Sequence, residues 1–336
     1  MHRRQFAFGL LAMPALARRA SATETSLVRL ARRNEFSDLP LMVMQQHQLI
    51  ERHAAKLGLP TLQPVWLPPR ERGARIVDLL GGQTDFAVLG APELLDLWDR
   101  TVGTPGEVRA LSCVELQPSM LVTRNQAVKT IGDFTGSDVI GVSAVKLSPQ
   151  AVCLEMAAAQ FWGPEAYARL DPLTLSIANA RAARSLIAGQ PPVNSHYSES
   201  PYYYDELAAT PAVHLVVKSN DTLGGPHVNQ MLVAAPYFAV ANPGVTQAVL
   251  LAQLEANALI KAHPEEAARI YLTLTQDNRK PDDMAGMVAD PDIEWTVLPQ
   301  RLMEFAAFLH KVGRLNSMPR SWKDLTLPEN QSGTGS

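Results

Sequence analysis

Short apolar runs alternate with amphipathic stretches along the chain, and this pattern predicts strands followed by helices. The runs that predict strands are 27–30, 62–67, 86–89, 119–122, 139–142, 173–177, 193–196, 213–217 and 231–234. Helices are predicted over 40–57, 70–80, 149–161, 179–188, 242–262, 265–274 and 299–312, with two more that begin at 92 and 201. Alternation of this kind indicates an α/β fold with largely parallel sheets.

The pattern restarts near residue 119 and returns through a glycine-rich turn at 221–226. A second α/β lobe is therefore predicted to be inserted into the first. The predicted organisation is a leader at 1–22, a first lobe at 23–118 and 222–328 that ends in added helices, a second lobe at 119–221, and a polar tail at 329–336.

The first 22 residues have the pattern of an export signal. Arg3 and Arg4 precede an apolar stretch at 6–17, and the small residues at 20–22 match an A-x-A cleavage site. The arginine pair also fits the core of a twin-arginine signal, so that route and the general secretory route both stay open. A cytosolic amphipathic helix is the alternative, which the uniform apolarity of the stretch disfavours. No cysteine lies near the cleavage site, so we expect an exported, soluble chain without a lipid anchor.

Composition narrows the classes of function. The 336 residues are 46% hydrophobic and 19% charged, which excludes a disordered or collagen-like chain. The 30 basic and 33 acidic residues give a net charge of −3, which offers no support for nucleic-acid binding. Removal of the leader takes away four arginines and no acids, so the remaining 314 residues carry a net charge of −7.

The chemistry-bearing residues favour binding over catalysis. The sequence lacks the motifs of serine hydrolases, zinc proteases and phosphate-binding loops, and its histidines do not fall at metal-ligand spacings. We therefore expect no metal and no cofactor. Cys113 and Cys153 are too few for a disulfide framework, and they either pair or, as we expect, are both buried as small apolar side chains. The acidic runs at 282–283 and 290–294 are predicted to be solvated loops.

Polar and small residues cluster in the loops that follow predicted strands, where open α/β sheets bind their ligands. Ser143, Lys146 and Ser148 surround a predicted helix N-terminus, whose free N–H groups favour an anion. For each, a structural role is the alternative: Ser148 as an N-cap, Lys146 as an exposed lysine, and His196 as a core histidine. The tyrosines at 202–204 are interpreted as helix packing.

An ordered set of short stretches covers nearly all of the chain after the leader. They are 48–51 (QLIE), 82–92 (GQTDFAVLGAP), 131–141 (IGDFTGSDVIG), 145–151 (VKLSPQA), 171–176 (DPLTLS), 221–226 (DTLGGP), 265–271 (EEAARIY) and 310–325 (HKVGRLNSMPRSWKDL). In this order the sequence resembles the periplasmic substrate-binding proteins of ABC importers for nitrate, sulfonates and taurine.

The resemblance implies a two-lobed type II periplasmic-binding-protein fold, with mixed, mostly parallel sheets, flanking helices and a two-strand hinge. It also implies that strand-end loops line a cleft between the lobes. The expected ligand-binding residues are Phe36, Ser37, Gly90, Ala91, Ser143, Lys146, Ser148, His196, Ser198, Gly224 and Gly225.

The function so implied is the capture of a small anionic solute by a periplasmic monomer, which delivers it to an ABC permease in the inner membrane. Sulfonate, taurine, nitrate and organic carboxylates are the expected solutes. No bond is made or broken, since binding only shifts an open–closed equilibrium. The alternatives are a sensor component and an enzyme on the same fold, of the thiamine-pyrimidine or menaquinone-pathway type. The thiamine-pyrimidine type needs a cysteine-rich motif that is absent here, and an export signal argues against a cytosolic enzyme.

Overall fold

Two five-stranded sheets organise the chain in a computed structural model that describes residues 24–59 and 61–336. The strands are β1 (Leu27–Ala31), β2 (Gln63–Leu67), β3 (Phe86–Gly90), β4 (Ala110–Leu116), β5 (Met120–Thr123), β6 (Ile140–Val142), β7 (Thr174–Ser176), β8 (Ser195–Ser198), β9 (His214–Lys218) and β10 (Val228–Ala234). The expected leader at 1–22 lies outside the described residues.

Helices cover the sheets and extend the C-terminal part. They are α1 (Leu39–Gln46), α2 (Leu49–Lys56), α3 (Arg72–Leu80), α4 (Ala91–Thr101), α5 (Pro149–Trp162), α6 (Asn179–Ala188), α7 (Tyr202–Ala209), α8 (Ser219–Leu223), α9 (Phe238–Ala241), α10 (Pro243–Ala262), α11 (Pro264–Thr275), α12 (Pro281–Val288) and α13 (Leu302–Lys311). Within the described residues, no helix combines the length and apolarity needed to cross a membrane.

Both sheets have the same mixed topology. The strand order is β2-β1-β3-β10-β4 in the first, sheet A, and β7-β6-β8-β5-β9 in the second, sheet B. In each sheet the first two pairings are parallel and the last two are antiparallel. The prediction of a mixed α/β architecture is confirmed. The antiparallel pairings equal the parallel ones in number because β10 and β5 each run against both of their neighbours.

The chain passes between the sheets twice, and the two passages are hydrogen-bonded to each other. Residues 117–119 join β4 to β5, and the return runs from β9 through α8 to β10. The N–H of Ser119 donates to Ser219 Oγ at 2.8 Å, and the N–H of Ser219 donates to the carbonyl of Ser119 at 2.9 Å. Nε2 of His227 lies 2.7 Å from the same Oγ. Burial lowers the pKa of His227 to about 4, so its imidazole is neutral.

The centre of sheet A is apolar on both faces and is covered on both. Strands β3, β4 and β10 are buried along their whole length. On one face α1, α10 and α11 contribute to a cluster that includes Phe86, Leu232 and Val249. The cluster on the other face extends from β3 and α4 to sheet B and α5. It includes Leu89 of β3, Ile140 of β6 and Val152 of α5. A continuous apolar contact therefore joins the two sheets.

Four local expectations are corrected or decided by the structure. The helix predicted over 40–57 is divided into α1 and α2, because Gln48 adopts a left-handed conformation with φ 50°. The acidic pair 282–283, expected in a loop, lies in the first turn of α12, where carboxylates stabilise a helix N-terminus. Strand β8 begins two residues later than predicted. Cys113 and Cys153 are both free and buried, which excludes their pairing.

Candidate functional site: a charged cavity between the two sheets

A cavity of about 370 Å³ lies where the carboxyl ends of six strands converge. Strands β1, β2 and β3 of sheet A are parallel to one another, as are β6, β7 and β8 of sheet B, and the segment after each of them contributes to the walls. The lining residues are Arg33, Glu35, Pro69, Arg70, Glu71, Arg72, Arg75, Gly90, Glu93, Ser143, Ala144, Pro149, Ala178, Asn179, Glu199 and Gln230. Four arginines and four glutamates make this a site for a polar, charged solute.

The loop after β1 is built around Asp38, whose side chain is fully buried. Its Oδ2 accepts from the N–H groups of Arg33 at 2.5 Å and Glu35 at 3.3 Å, and its Oδ1 accepts from Arg33 Nη2 at 3.1 Å. These bonds fix the Arg33 guanidinium at the cavity wall. Burial acts to lower the pKa of Arg33, but the carboxylates of Asp38 and Glu35 and, farther off, those of Glu199 and Glu115 outweigh burial and raise it.

The segment after β2 brings further arginines to the same wall. Arg75, in α3, is buried, and its Nη1 donates to the carbonyl of Val88 at 2.6 Å. Its Nε has no hydrogen-bond partner among the residues that the structure describes. Burial, with the positive charge of Arg33 nearby, lowers the pKa of Arg75 to about 10. Arg72 Nη1 lies 3.3 Å from Glu93, which also accepts from the N–H of Gly90 at 3.0 Å and so begins α4.

Carboxyl groups gather at the inner end of the cavity. Burial raises the pKa of Glu35 to about 7, although Arg33 acts in the opposite direction. Burial also raises the pKa of Glu199. Glu115 lies behind the wall on β4, and burial raises its pKa well above the ordinary value. Glu199 Oε2 accepts from Asn179 Nδ2 at 3.4 Å.

A buried chain of hydrogen bonds supports the sheet B side of the cavity. Gln150 Oε1 accepts from the N–H of Ser143 at 2.7 Å, and its Nε2 donates to Asn179 Oδ1 at 3.0 Å. The same Oδ1 lies 3.3 Å from Nε2 of His196, whose Nδ1 is 2.6 Å from Glu206. His196 therefore holds Asn179 in place from behind the wall.

Solved structures share the overall fold of this chain. The periplasmic nitrate-binding protein NrtA from Synechocystis PCC 6803 matches with a TM-score of 0.68 and 15% identity, over 91% of this chain and 87% of that one. The periplasmic aliphatic sulphonate-binding protein SsuA from Escherichia coli matches with a TM-score of 0.66 and 16% identity, over 93% and 96%. The alkanesulfonate-binding protein SsuA from Xanthomonas axonopodis pv. citri, bound to MOPS, matches with a TM-score of 0.62 and 17% identity, over 88% and 96%.

The chain has the two-lobed periplasmic-binding-protein fold. At these identities the likeness establishes the fold alone. No protein-family profile and no curated protein sequence matches the chain.

Within this periplasmic-binding fold, two of the eleven residues expected from the sequence line the cavity. Gly90 ends β3 and Ser143 follows β6, on opposite walls. His196 and Ser198 are buried on β8, directly behind the wall formed by Asn179 and Glu199.

The other seven expected residues lie outside the lining. Phe36 packs its ring 5.7 Å from Tyr271 and 5.5 Å from Trp295 in the core. Ser37 Oγ accepts from Gln117 Nε2 at 2.8 Å. The remaining five are Ala91 at the buried start of α4, Ser148 at the N-cap of α5, Lys146 with an exposed ammonium, and Gly224 and Gly225 at the end of α8 beside Arg301.

The polar lining residues that sequence reasoning missed are Arg33, Glu35, the arginine-bearing segment 69–75, Glu93, Asn179, Glu199 and Gln230. Residues 69–72 closely follow the strand predicted at 62–67, so a search of the loops that follow predicted strands could have found them, whereas Arg75 lies farther on, within α3. Asn179 and Glu199 also follow predicted strands closely. Gln230 lies on β10, an antiparallel strand, and no strand-end signal points to it.

Proposed function

We propose that the chain is the exported solute-binding component of an ABC importer and delivers its solute to a membrane permease. The observation that carries this proposal is a charged cavity of about 370 Å³ with walls from both sheets. A solute that contacts both walls favours the state in which the walls are close together, and it thereby shifts the equilibrium between open and closed forms. The sulfonate- and nitrate-binding neighbours of the same fold support this proposal.

The solute is proposed to carry an acidic group, as sulfonates, taurine, nitrate and organic carboxylates do. Arg75 supports this part of the proposal because its buried Nε lacks a partner among the described residues. Arg72 and Arg33 lie on the same wall and add positive charge. Charge-assisted hydrogen bonds from guanidinium groups are the usual means by which proteins hold carboxylate and sulfonate oxygens.

Several further features belong to the proposal. Residues 1–22 direct export to the periplasm, where the protein acts as a monomer. The lobes divide at about residues 118 and 221, and they move relative to each other about the paired passages at Ser119 and Ser219. Binding is proposed to proceed without reaction, because a solute that bridges the two walls only shifts the equilibrium between the open and closed forms.

The proposal is tested with the exported protein purified without denaturation. Mass spectrometry of co-purified small molecules identifies the solute directly. A thermal-shift panel of sulfonates, nitrate, carboxylates and amino acids then measures which of them raises the unfolding temperature. We expect a selective rise with one solute class. Absence of any response, together with turnover of a biosynthetic substrate, would overturn the proposal.

A further inference from the structure

The inner end of the cavity offers acceptor atoms that nothing in the described part of the chain uses. Glu199 and Gln230 are only 7% and 3% exposed, and both line the cavity. Neither Glu199 Oε1 nor Gln230 Oε1 has a hydrogen-bond partner within 3.5 Å among the described residues, although the buried Asn229 side chain lies close enough to Glu199 to lower the pKa of that carboxyl. Buried acceptors of this kind are normally paired, because an unpaired buried oxygen loses its bonds to water.

These two acceptors come from opposite sides of the cavity. Glu199 follows β8 of sheet B, whereas Gln230 lies on β10 of sheet A. An ammonium group carries three donors in a compact volume, so one such group has enough donors for both oxygens. A methyl group or a sulfonate oxygen in the same place would leave both oxygens unpaired.

The charges around this end also call for a cation. The carboxyl groups are Asp38, Glu35, Glu115 and Glu199, and the arginines facing them are Arg32, Arg33 and Arg75. His196 and the Cys153 thiol also face Glu199. The carboxylate of Asp38 pairs with the guanidinium of Arg33, and Glu206 Oε1 lies 2.6 Å from His196 Nδ1. The phenols that face Glu35 are Tyr202 and Tyr271. Acids therefore exceed bases here when all are ionised, and a buried excess charge is costly unless it is paired.

We infer that Glu199 and Gln230 form a cation subsite that takes a protonated amine of the ligand, so that the ligand carries an amine as well as an acidic group. This inference rests on the proposed function, because it assigns one end of the same cavity.

Occupation of the subsite is coupled to a proton. Burial raises the pKa of Glu35 to about 7 and that of Glu199 above its ordinary value, so near neutral pH part of this cluster is protonated. An arriving cation favours the ionised carboxylates and displaces the proton. The affinity for an amine-bearing ligand therefore rises from about pH 6 to about pH 8, whereas that for a purely anionic ligand falls.

The test compares two probes of nearly equal shape, 3-aminopropanesulfonate and butane-1-sulfonate, by titration calorimetry. We expect the amine-bearing probe to bind at least about tenfold more tightly, as charge-assisted pairing of the ammonium implies. Titration in two buffers that differ in ionisation enthalpy measures the protons exchanged, and we expect release with this probe. A second pair, 4-aminobutyrate and pentanoate, repeats the comparison for carboxylates.

Variants assign the effect to the subsite. Glu199→Gln is expected to remove the preference for the amine-bearing probe, because the neutral amide no longer pairs with the charged ammonium group. Gln230→Leu is the second variant, and thermal unfolding checks that both fold. The matched control is Glu165→Gln, which changes an exposed glutamate that does not line the cavity.

The outcomes separate the two proposals. Equal affinity for both members of each pair, or an unchanged preference in folded Glu199→Gln, overturns the cation subsite and leaves the proposed function standing. Failure of all four probes to bind, with no solute active in the thermal-shift panel, overturns both.

Discussion

A Cβ atom added to Gly90 would lie 2.9 Å from Cδ of Pro149, closer than real Cβ atoms approach their neighbours. Gly90 ends β3 of sheet A, and Pro149 begins α5 after β6 of sheet B, so this contact joins the two cavity walls. We expect Gly90→Ala to keep the walls apart and to lower ligand affinity about tenfold, because the closed state is disfavoured. Calorimetric titration with the co-purified solute measures the loss.

The control for this variant is Gly73→Ala in α3, where an added Cβ would meet no atom of the described residues within 4 Å. We expect unchanged affinity and a gain in stability of up to about 1 kcal/mol, because alanine restricts the unfolded chain more than glycine does. Wild-type affinity in Gly90→Ala would show that the walls do not need this close contact.

Ion pairs outside the cavity also join the two parts of the chain. Arg279, between α11 and α12, donates from Nε to Asp205 Oδ2 of α7 at 3.0 Å, and its guanidinium lies 5.5 Å from the ring of Tyr202. We expect Arg279→Gln to weaken solute binding about threefold to tenfold, since a half-buried pair contributes about 1 kcal/mol. Small-angle scattering should detect a larger radius of gyration without solute.

Arg320→Gln is the matched control, because Arg320 pairs with Asp324 four residues away within one segment. It should leave both affinity and radius unchanged. Equal effects of the two substitutions would mean that the Arg279 pair has no special part in closure.

The contribution of Glu35 to the stability of the protein should fall as pH rises toward neutrality. The pKa of Glu35 is about 7 in the folded state against 4.5 ordinarily, so the folded state holds a proton that the unfolded state has already released. This contribution is therefore full below about pH 4.5 and is lost up to about pH 7, with a slope of at most about 1.4 kcal/mol per pH unit, whereas the lowered pKa of His227 acts in the opposite direction. Urea unfolding measured between about pH 5 and about pH 8 should show a flatter profile in Glu35→Gln. An identical slope in this variant would contradict the assignment.

Lys146 and Arg72 should differ in their importance for binding. The Lys146 side chain is 62% exposed, outside the cavity lining, and its Nζ lies 3.8 Å from Asp171. Arg72 lines the cavity. We expect Lys146→Ala to change affinity less than about twofold, because an exposed ion pair contributes little, and Arg72→Gln to lower it about tenfold. The reverse order of effects would move the anion site to the start of α5, where the sequence suggests it.

Much of what could be predicted about the cavity comes from one rule, that open α/β sheets bind ligands in the loops that follow their strands. It identified Gly90 and Ser143, because each follows an apolar strand whose pattern is plain in the sequence. The same rule does not predict Arg75, because an arginine in an amphipathic helix is normally solvated. Its burial depends on the carbonyl of Val88, which only the packing of α3 against β3 brings within 2.6 Å.

The remaining differences have similar causes. The division between α1 and α2 depends on a left-handed backbone conformation at Gln48, which glutamine rarely adopts. No local sequence pattern therefore predicts this division. Gln230 reaches the cavity because β10 inserts between β3 and β4, and such a long-range pairing leaves no periodic signal in one sequence. The fold class was predictable because alternation of strands and helices is repeated along the whole chain.

The strand order has a consequence for how the protein can assemble. Sheet B takes all five of its strands from one continuous stretch, 120–218, and can be completed as soon as that stretch is present. Sheet A stays open between β3 and β4 until β10 arrives from beyond it, with the edges of two apolar strands unpaired. Sheet A can therefore be completed only after residues 228–234 join it, whereas sheet B needs no strand from outside 120–218, so the inserted half can form before the half that encloses it.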